Sequence, residues 1–219
     1  MRSAIGDHFK SQRARRWAVV VGLASVGVDM VFVVCGIGYD ARLALAMMVF
    51  ALIVCLADGD LCTIGLCSNP RQGWKPWIRL SVILGLSVAV CIVLGLGIWK
   101  LTGHEIPIYT TPPTQVFGRV LLACFIAPVM EESVYRLILC VSLMSVLGCW
   151  KTIGVSGLLF GSLHFLYGNP SPENLVGGFI LAWAYLKSET ILLPVILHSL
   201  GNSFVIAAQV MGWYVLNSG

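Results

Sequence analysis

The sequence is dominated by apolar runs long enough to cross a bilayer. A hydrocarbon core takes roughly 20 residues of helix to span. Runs of this kind, some of them short, fall at about Trp17–Gly38, Leu43–Ala57, Ile78–Trp99, Phe117–Leu147, Thr152–Leu166, Leu175–Leu186 and Ile191–Leu216. Soluble domains are about a quarter charged, whereas here 58% of the 219 residues are hydrophobic and 11% are charged. Lipid is therefore the expected solvent for most of the chain. The fold class that follows is all-α, a polytopic transmembrane helical bundle of about seven spans. The Phe117–Leu147 run is too long for one straight crossing and contains Pro128, so it reads as one kinked, tilted helix or as two shorter ones.

The basic residues give the orientation, because cytosolic flanks of membrane helices carry excess Lys and Arg. Arg2, Lys10, Arg13, Arg15 and Arg16 precede the first span, and Arg71, Lys75, Arg79, Lys151 and Lys187 fall on the same side when the spans alternate. The other side receives Arg42 and Lys100, with Arg119 near a helix start. The N-terminus is thus expected in the cytosol and the C-terminus outside. Three parts follow: a basic cytosolic tail at 1–16, N-terminal transmembrane helices at 17–110, and a core at 111–219. No cleavable signal peptide is evident, since the apolar run after the tail is too long and lacks a cleavage site. The net charge of +4 is scattered rather than striped, which argues against nucleic-acid binding. Thr102–Gln115 and Gly168–Glu173 read as non-cytosolic loops. Cys35, Cys55, Cys91, Cys124 and Cys140 lie in apolar runs and behave as small hydrophobes. Cys62 and Cys67 lie in a loop placed in the cytosol, without the further ligands a zinc site needs.

Ionisable groups inside a membrane are costly, and each is a functional hypothesis with a partner to be found. They gather in the second half of the chain, as Glu131-Glu132-Ser133-Val134-Tyr135-Arg136, as Phe160 with His164, and as His198 with Asn202. Glu132 and Arg136 share a helix face four residues apart and can form an ion pair of the favoured polarity. Glu131 is turned about 100° from Glu132, which directs it to a different cavity, along with Tyr135 one turn on. Phe160 and His164 share a face, as do His198 and Asn202. Gly154, Gly157 and Gly161 form a small-residue stripe that lets helices approach closely and is expected to bring His164 toward the glutamates.

In this order, Glu-Glu-xxx-Arg, Phe-xxx-His and His-xxx-Asn resemble the CPBP family, which comprises eukaryotic CAAX prenyl endopeptidases and bacterial bacteriocin-processing and self-immunity (Abi) relatives. The resemblance covers about Phe117–Val210. It includes the Ala-Pro-Val-Met lead-in to Glu131 and the Leu-Leu-Pro-Val-Ile-Leu lead-in to His198. Two positions depart from the pattern: Tyr135 stands where Phe is frequent and Leu137 where Gly is common. The resemblance implies a glutamic intramembrane endopeptidase cutting a membrane-associated peptide or protein. In that reading Glu131 and His164 activate a water, His198 and Asn202 donate to the oxyanion, and Glu132, Arg136 and Phe160 give support. No cofactor is implied. The basic N-terminus and the short, compact chain fit a bacterial member, which makes the bacterial inner membrane the expected location.

Other readings compete. Two histidines and a glutamate on separate helices could hold a catalytic zinc, the minority alternative, although the His-Glu-xx-His signature is absent. A non-proteolytic immunity or scaffold protein that binds a peptide or protein partner is the alternative function. A transporter fits less well, as no internal repeat is visible. Asp29, in the first span, reads as a buried hydrogen-bonded acid, a contact for another subunit or a proton-linked group; the first is favoured and no role is assigned to it. Asp58-Gly59-Asp60 reads as a helix-ending turn, His104 and Glu105 as solvated loop residues, and His8 as part of a lipid-contacting tail.

Overall fold

A computed structural model describes residues 5, 9, 11–56, 61–105 and 109–217. Arg2, His8, Lys10 and Asp58-Gly59-Asp60 lie outside the described residues. Among the described residues the secondary structure is helical, with one isolated bridge between Leu66 and Thr190. The helices are α1 (Gln12–Val34), α2 (Tyr39–Leu56), α3 (Trp74–Leu101), α4 (Pro113–Leu147), α5 (Cys149–Leu166), α6 (Pro172–Ser188) and α7 (Leu192–Asn217). Each corresponds to one apolar run of the sequence. Five of them, α1, α2, α3, α4 and α7, are long and apolar enough to cross a bilayer. The remaining two, α5 and α6, are 18 and 17 residues long and are pressed against each other, so they need less lipid-facing apolar surface.

Local signals account for the helix ends. The Ser11 side chain caps α1 by accepting from the Ala14 N–H at 3.0 Å, satisfying one of the orphan donors of a helix start. Pro113 and Pro172 open α4 and α6, where a missing N–H costs nothing. Gly148 alone joins α4 to α5, with φ 72°, a value that L side chains rarely adopt.

The long fourth run is one helix rather than two. Two π-helical turns, Leu121–Ile126 and Ser133–Ile138, interrupt it. The first immediately precedes Pro128 and loosens the ladder where the proline removes a donor. The second frees the Tyr135 carbonyl, which accepts from Ser156 Oγ on α5 at 2.9 Å and from the Cys140 thiol at 3.2 Å.

By contact the chain divides into two compact units. One comprises Met1–Arg71 with Ile126–His198, the other Gln72–Phe125 with Ser199–Gly219. In the first, α4 is the central helix, with Leu137, Ile138, Leu139, Cys140, Val141 and Leu143 all buried. A helix apolar all round belongs inside a bundle, and α1, α2, α5 and α6 supply its neighbours.

Hydrogen bonds at the ends of this unit order its helices. After α2, the loop 61–71 meets the end of α6. The Tyr185 hydroxyl donates to Ile64 O at 2.6 Å, Thr190 Oγ1 to Cys67 O at 2.5 Å, and Arg71 pairs with Glu189 at 2.9 Å. At the start of α2, Arg42 meets Tyr167 just after α5. The C-terminal ends of α2 and α6 therefore lie together, as they must if every helix between them crosses. Cys62 and Cys67, read from the sequence as loop thiols, are joined in a disulfide.

In the second unit α3 exposes nearly all of its apolar surface, Trp77 being its buried residue. So large an apolar face suits lipid and not water. Thr111, Arg119 and Gln209 form a polar cluster there, with Arg119 Nη1 3.1 Å from both Thr111 Oγ1 and Gln209 Oε1. His104 packs edge-on against Trp99, whose indole donates to Glu105 O.

The glycine stripe meets a different helix from the one expected. A Cβ on Gly161 would stand 2.7 Å from Leu175 Cδ1, and one on Gly178 would stand 2.9 Å from Gly157 O. The stripe thus seats α5 on α6, and Gly154 has nothing within 4 Å. Sequence marks small residues but not which neighbour they face. Gly178→Val is expected to cost about 1–3 kcal/mol through overpacking, measured by denaturant titration of detergent-purified protein. Gly154→Ala should show no loss in the same titration.

Candidate active site

The two glutamates lie on the short α-helical stretch Ala127–Glu132 between the π-helical turns of α4. Glu131, Glu132 and Arg136 are all buried, the last two completely. An uncompensated charge at such depth would be very costly, so its partners decide the architecture. Arg136 Nε is 3.0 Å from Glu132 Oε2. The contact is close but off-line for a hydrogen bond, so it holds by charge. Arg136 Nη2 reaches Gly178 O on α6 at 3.4 Å, and the guanidinium lies 4.5 Å from the centre of the Phe160 ring.

The second oxygen of Glu132 takes His198. His198 Nδ1 is 2.9 Å from Glu132 Oε1. A carboxylate only accepts, so Nδ1 carries the proton and donates, which turns Nε2 toward the other glutamate. Nε2 is 3.9 Å from Glu131 Oε2. Adjacent glutamates were expected to face different cavities, but here they flank one imidazole. The reason is geometric: ring nitrogens point to opposite sides, so two carboxylates diverging around a helix can embrace one ring.

Phe160, expected only in support, is the hub of the cluster. Its ring is 4.5 Å from His164, 5.6 Å from His198 and 5.6 Å from Tyr135, besides carrying the Arg136 guanidinium. His164 Nδ1 lies 3.1 Å from Phe160 O. A carbonyl also only accepts, so this imidazole too holds a proton on Nδ1.

The structure therefore brings Glu131, Glu132, Arg136, Phe160, His164 and His198 together in the first unit. Asn202 belongs to the second, where its amide donates to Ala123 O at 2.6 Å. The sequence reading left Asp29 without a role. It is buried and takes a two-pronged hydrogen bond from Arg42, and both lie close enough to act electrostatically on Glu131. An acid and a base near the first two span ends was a visible signal for that pair. Tyr167, bonded to Arg42, had none. Among the described residues, no group of three or more His, Cys, Asp or Glu is placed to hold a metal ion.

Two side chains make the energetics testable. Tyr135 is fully buried, and its hydroxyl has no hydrogen-bond partner among the described residues. Tyr135→Phe should leave stability unchanged or raise it by about 1 kcal/mol, since an unpaired buried hydroxyl is a penalty. Arg136→Met should lower it by about 3–5 kcal/mol, because Glu132 loses its countercharge. Equilibrium unfolding in detergent measures both, and the opposite signs distinguish orphan from partner.

Comparison with known proteins finds one match. Residues 113–204 match the family model described as type II CAAX prenyl endopeptidase Rce1-like. All seven residues of the three motifs, from Glu131 to Asn202, fall inside that segment. No curated protein and no solved structure matches the chain. The matched family is one of proteases, and the apolar helices make this chain an integral membrane protein. In residues 113–204 the chain is similar to the CPBP family, the one its three motifs resemble.

Proposed function

We propose that the chain is a glutamic intramembrane endopeptidase, hydrolysing a peptide bond in a membrane-associated peptide or protein. The observation that carries this reading is the unequal use of two adjacent glutamates. Glu132 is engaged by Arg136 and His198. Glu131 is buried beside it without a hydrogen bond among the described residues, 3.9 Å from an imidazole nitrogen. A buried carboxylate with no hydrogen bond to occupy its oxygens is suited to take a proton from water.

In the proposed reaction Glu131, assisted by His164, removes a proton from water while the water oxygen attacks the scissile carbonyl carbon. The tetrahedral oxyanion accepts hydrogen bonds from His198 and Asn202. The proton then passes to the leaving nitrogen as the C–N bond breaks. For His198 to donate from Nε2 it must carry a second proton, and Glu131 and Glu132 supply the countercharge. Glu132, Arg136 and Phe160 hold these groups in place. The N-terminus faces the cytosol, by the distribution of basic residues, and the membrane is the bacterial inner membrane.

A quenched-fluorescent peptide library, incubated with detergent-purified protein, tests the reading. Wild type should cleave, and Glu131→Gln, folded, should not. Asn202→Ala should lower kcat by about 10²–10³, the usual loss of one oxyanion donor. The metal chelator 1,10-phenanthroline should leave the rate unchanged. Equal cleavage by Glu131→Gln contradicts the assignment, inhibition by the chelator points to zinc, and cleavage by neither protein favours an immunity or scaffold role.

A further inference from the structure

Two helices outside the matched segment reach the site through one buried ion pair. Asp29 on α1 and Arg42 on α2 are 1% and 2% exposed. Arg42 Nε donates to Asp29 Oδ1 at 2.7 Å and Nη2 to Oδ2 at 3.0 Å, a fork-on-carboxylate geometry that fixes the plane of the guanidinium. The third arm, Nη1, donates to the Tyr167 hydroxyl. The guanidinium carbon also lies 5.5 Å from the Tyr39 ring and 5.2 Å from the Tyr167 ring.

Joining α1 to α2 would use only two arms of this fork. The third reaches α5 at a telling place. Tyr167 is the residue after the last turn of α5, and its ring meets the His164 ring edge-on at 5.9 Å. Helix ends fray, and their side chains are held only if something outside the helix holds them. His164 is in that last turn, bound by Phe160 on one side. On the other side its neighbour is Tyr167, and the hydroxyl of Tyr167 is anchored by Arg42. The same pair lies within electrostatic reach of Glu131.

We propose that Arg42, oriented by Asp29, is a positioning residue of the active site, holding the His164 imidazole in place through Tyr167. The inference rests on the peptidase reading of Glu131 and His164, and extends the functional unit to α1 and α2.

The test uses the full chain in lipid nanodiscs with ¹⁵N-labelled histidine, the His164 ring signals being assigned by their loss in His164→Gln. Tyr167→Phe keeps the ring and removes the hydroxyl, and Arg42→Lys keeps the charge and removes the fork. Both should shift or broaden the His164 ring signals while leaving those of His198 and the melting temperature in place. On a peptide that wild type cleaves, both should lower kcat about tenfold or more with KM within about twofold, the pattern of a misplaced catalytic group. Unmoved His164 signals overturn the proposal, as does a moved signal with unchanged kcat. A fall in melting temperature with kcat per folded molecule intact also overturns it, leaving a clip between helices. If wild type cleaves no peptide, the peptidase reading fails separately, and the His164 signals alone decide whether Arg42 positions that ring.

Discussion

Placing Glu132 and Arg136 at full burial in a membrane helix commits the surrounding helices to satisfying them. Desolvating each ion costs several kcal/mol, and mutual attraction offsets this only when the remaining donors and lone pairs also find partners. The partners they do find come from three different elements, the Gly178 carbonyl from α6, the Phe160 ring from α5 and His198 Nδ1 from α7, while Arg136 Nη1 has no hydrogen-bond partner among the described residues. The glycine contacts follow from the same demand. Gly178 brings its carbonyl to Arg136 while lying against Gly157 O, a closeness that a Cβ would prevent. Packing between α5 and α6 and the electrostatics of α4 are thus one arrangement.

That arrangement also divides the labour between the glutamates. With Glu132 committed to Arg136 and His198, the His198 ring is oriented and its tautomer set. Glu131 is left beside Nε2 without a hydrogen bond among the described residues. The π-helical turn that follows contributes from the other side. By widening the helix at Ser133–Ile138 it releases the Tyr135 carbonyl to Ser156, tying α5 to α4 next to the cluster. Departures from regular α-helix of this kind are frequent at functional sites.

The helices were legible because lipid imposes length and apolarity, and these are one-dimensional properties of a sequence. The candidate site was legible for a related reason: Glu131, Glu132, Arg136, His164 and His198 stand out wherever charge is expensive. What stayed hidden depends on how each helix is rotated and which helix lies beside it. Nothing in Gly157 or Gly161 names α6 as their neighbour. Tyr167 resembles any aromatic at a helix end until Arg42 is seen against it. Residue spacing turns Glu131 away from Glu132 around the helix, yet both carboxylates flank one imidazole, whose two nitrogens point to opposite sides. The run with Pro128 resolved into a single helix because a π-helical turn, invisible in composition, precedes the proline.

The central claim is that Glu131 acts on water rather than on the peptide itself. Single-turnover cleavage in H₂¹⁸O, followed by mass spectrometry of product and enzyme, tests it most directly. The account predicts one ¹⁸O in the new C-terminal carboxylate of the product and none in Glu131. An unlabelled product with ¹⁸O in the Glu131 side chain would show a covalent acyl intermediate on that residue, and would contradict the account.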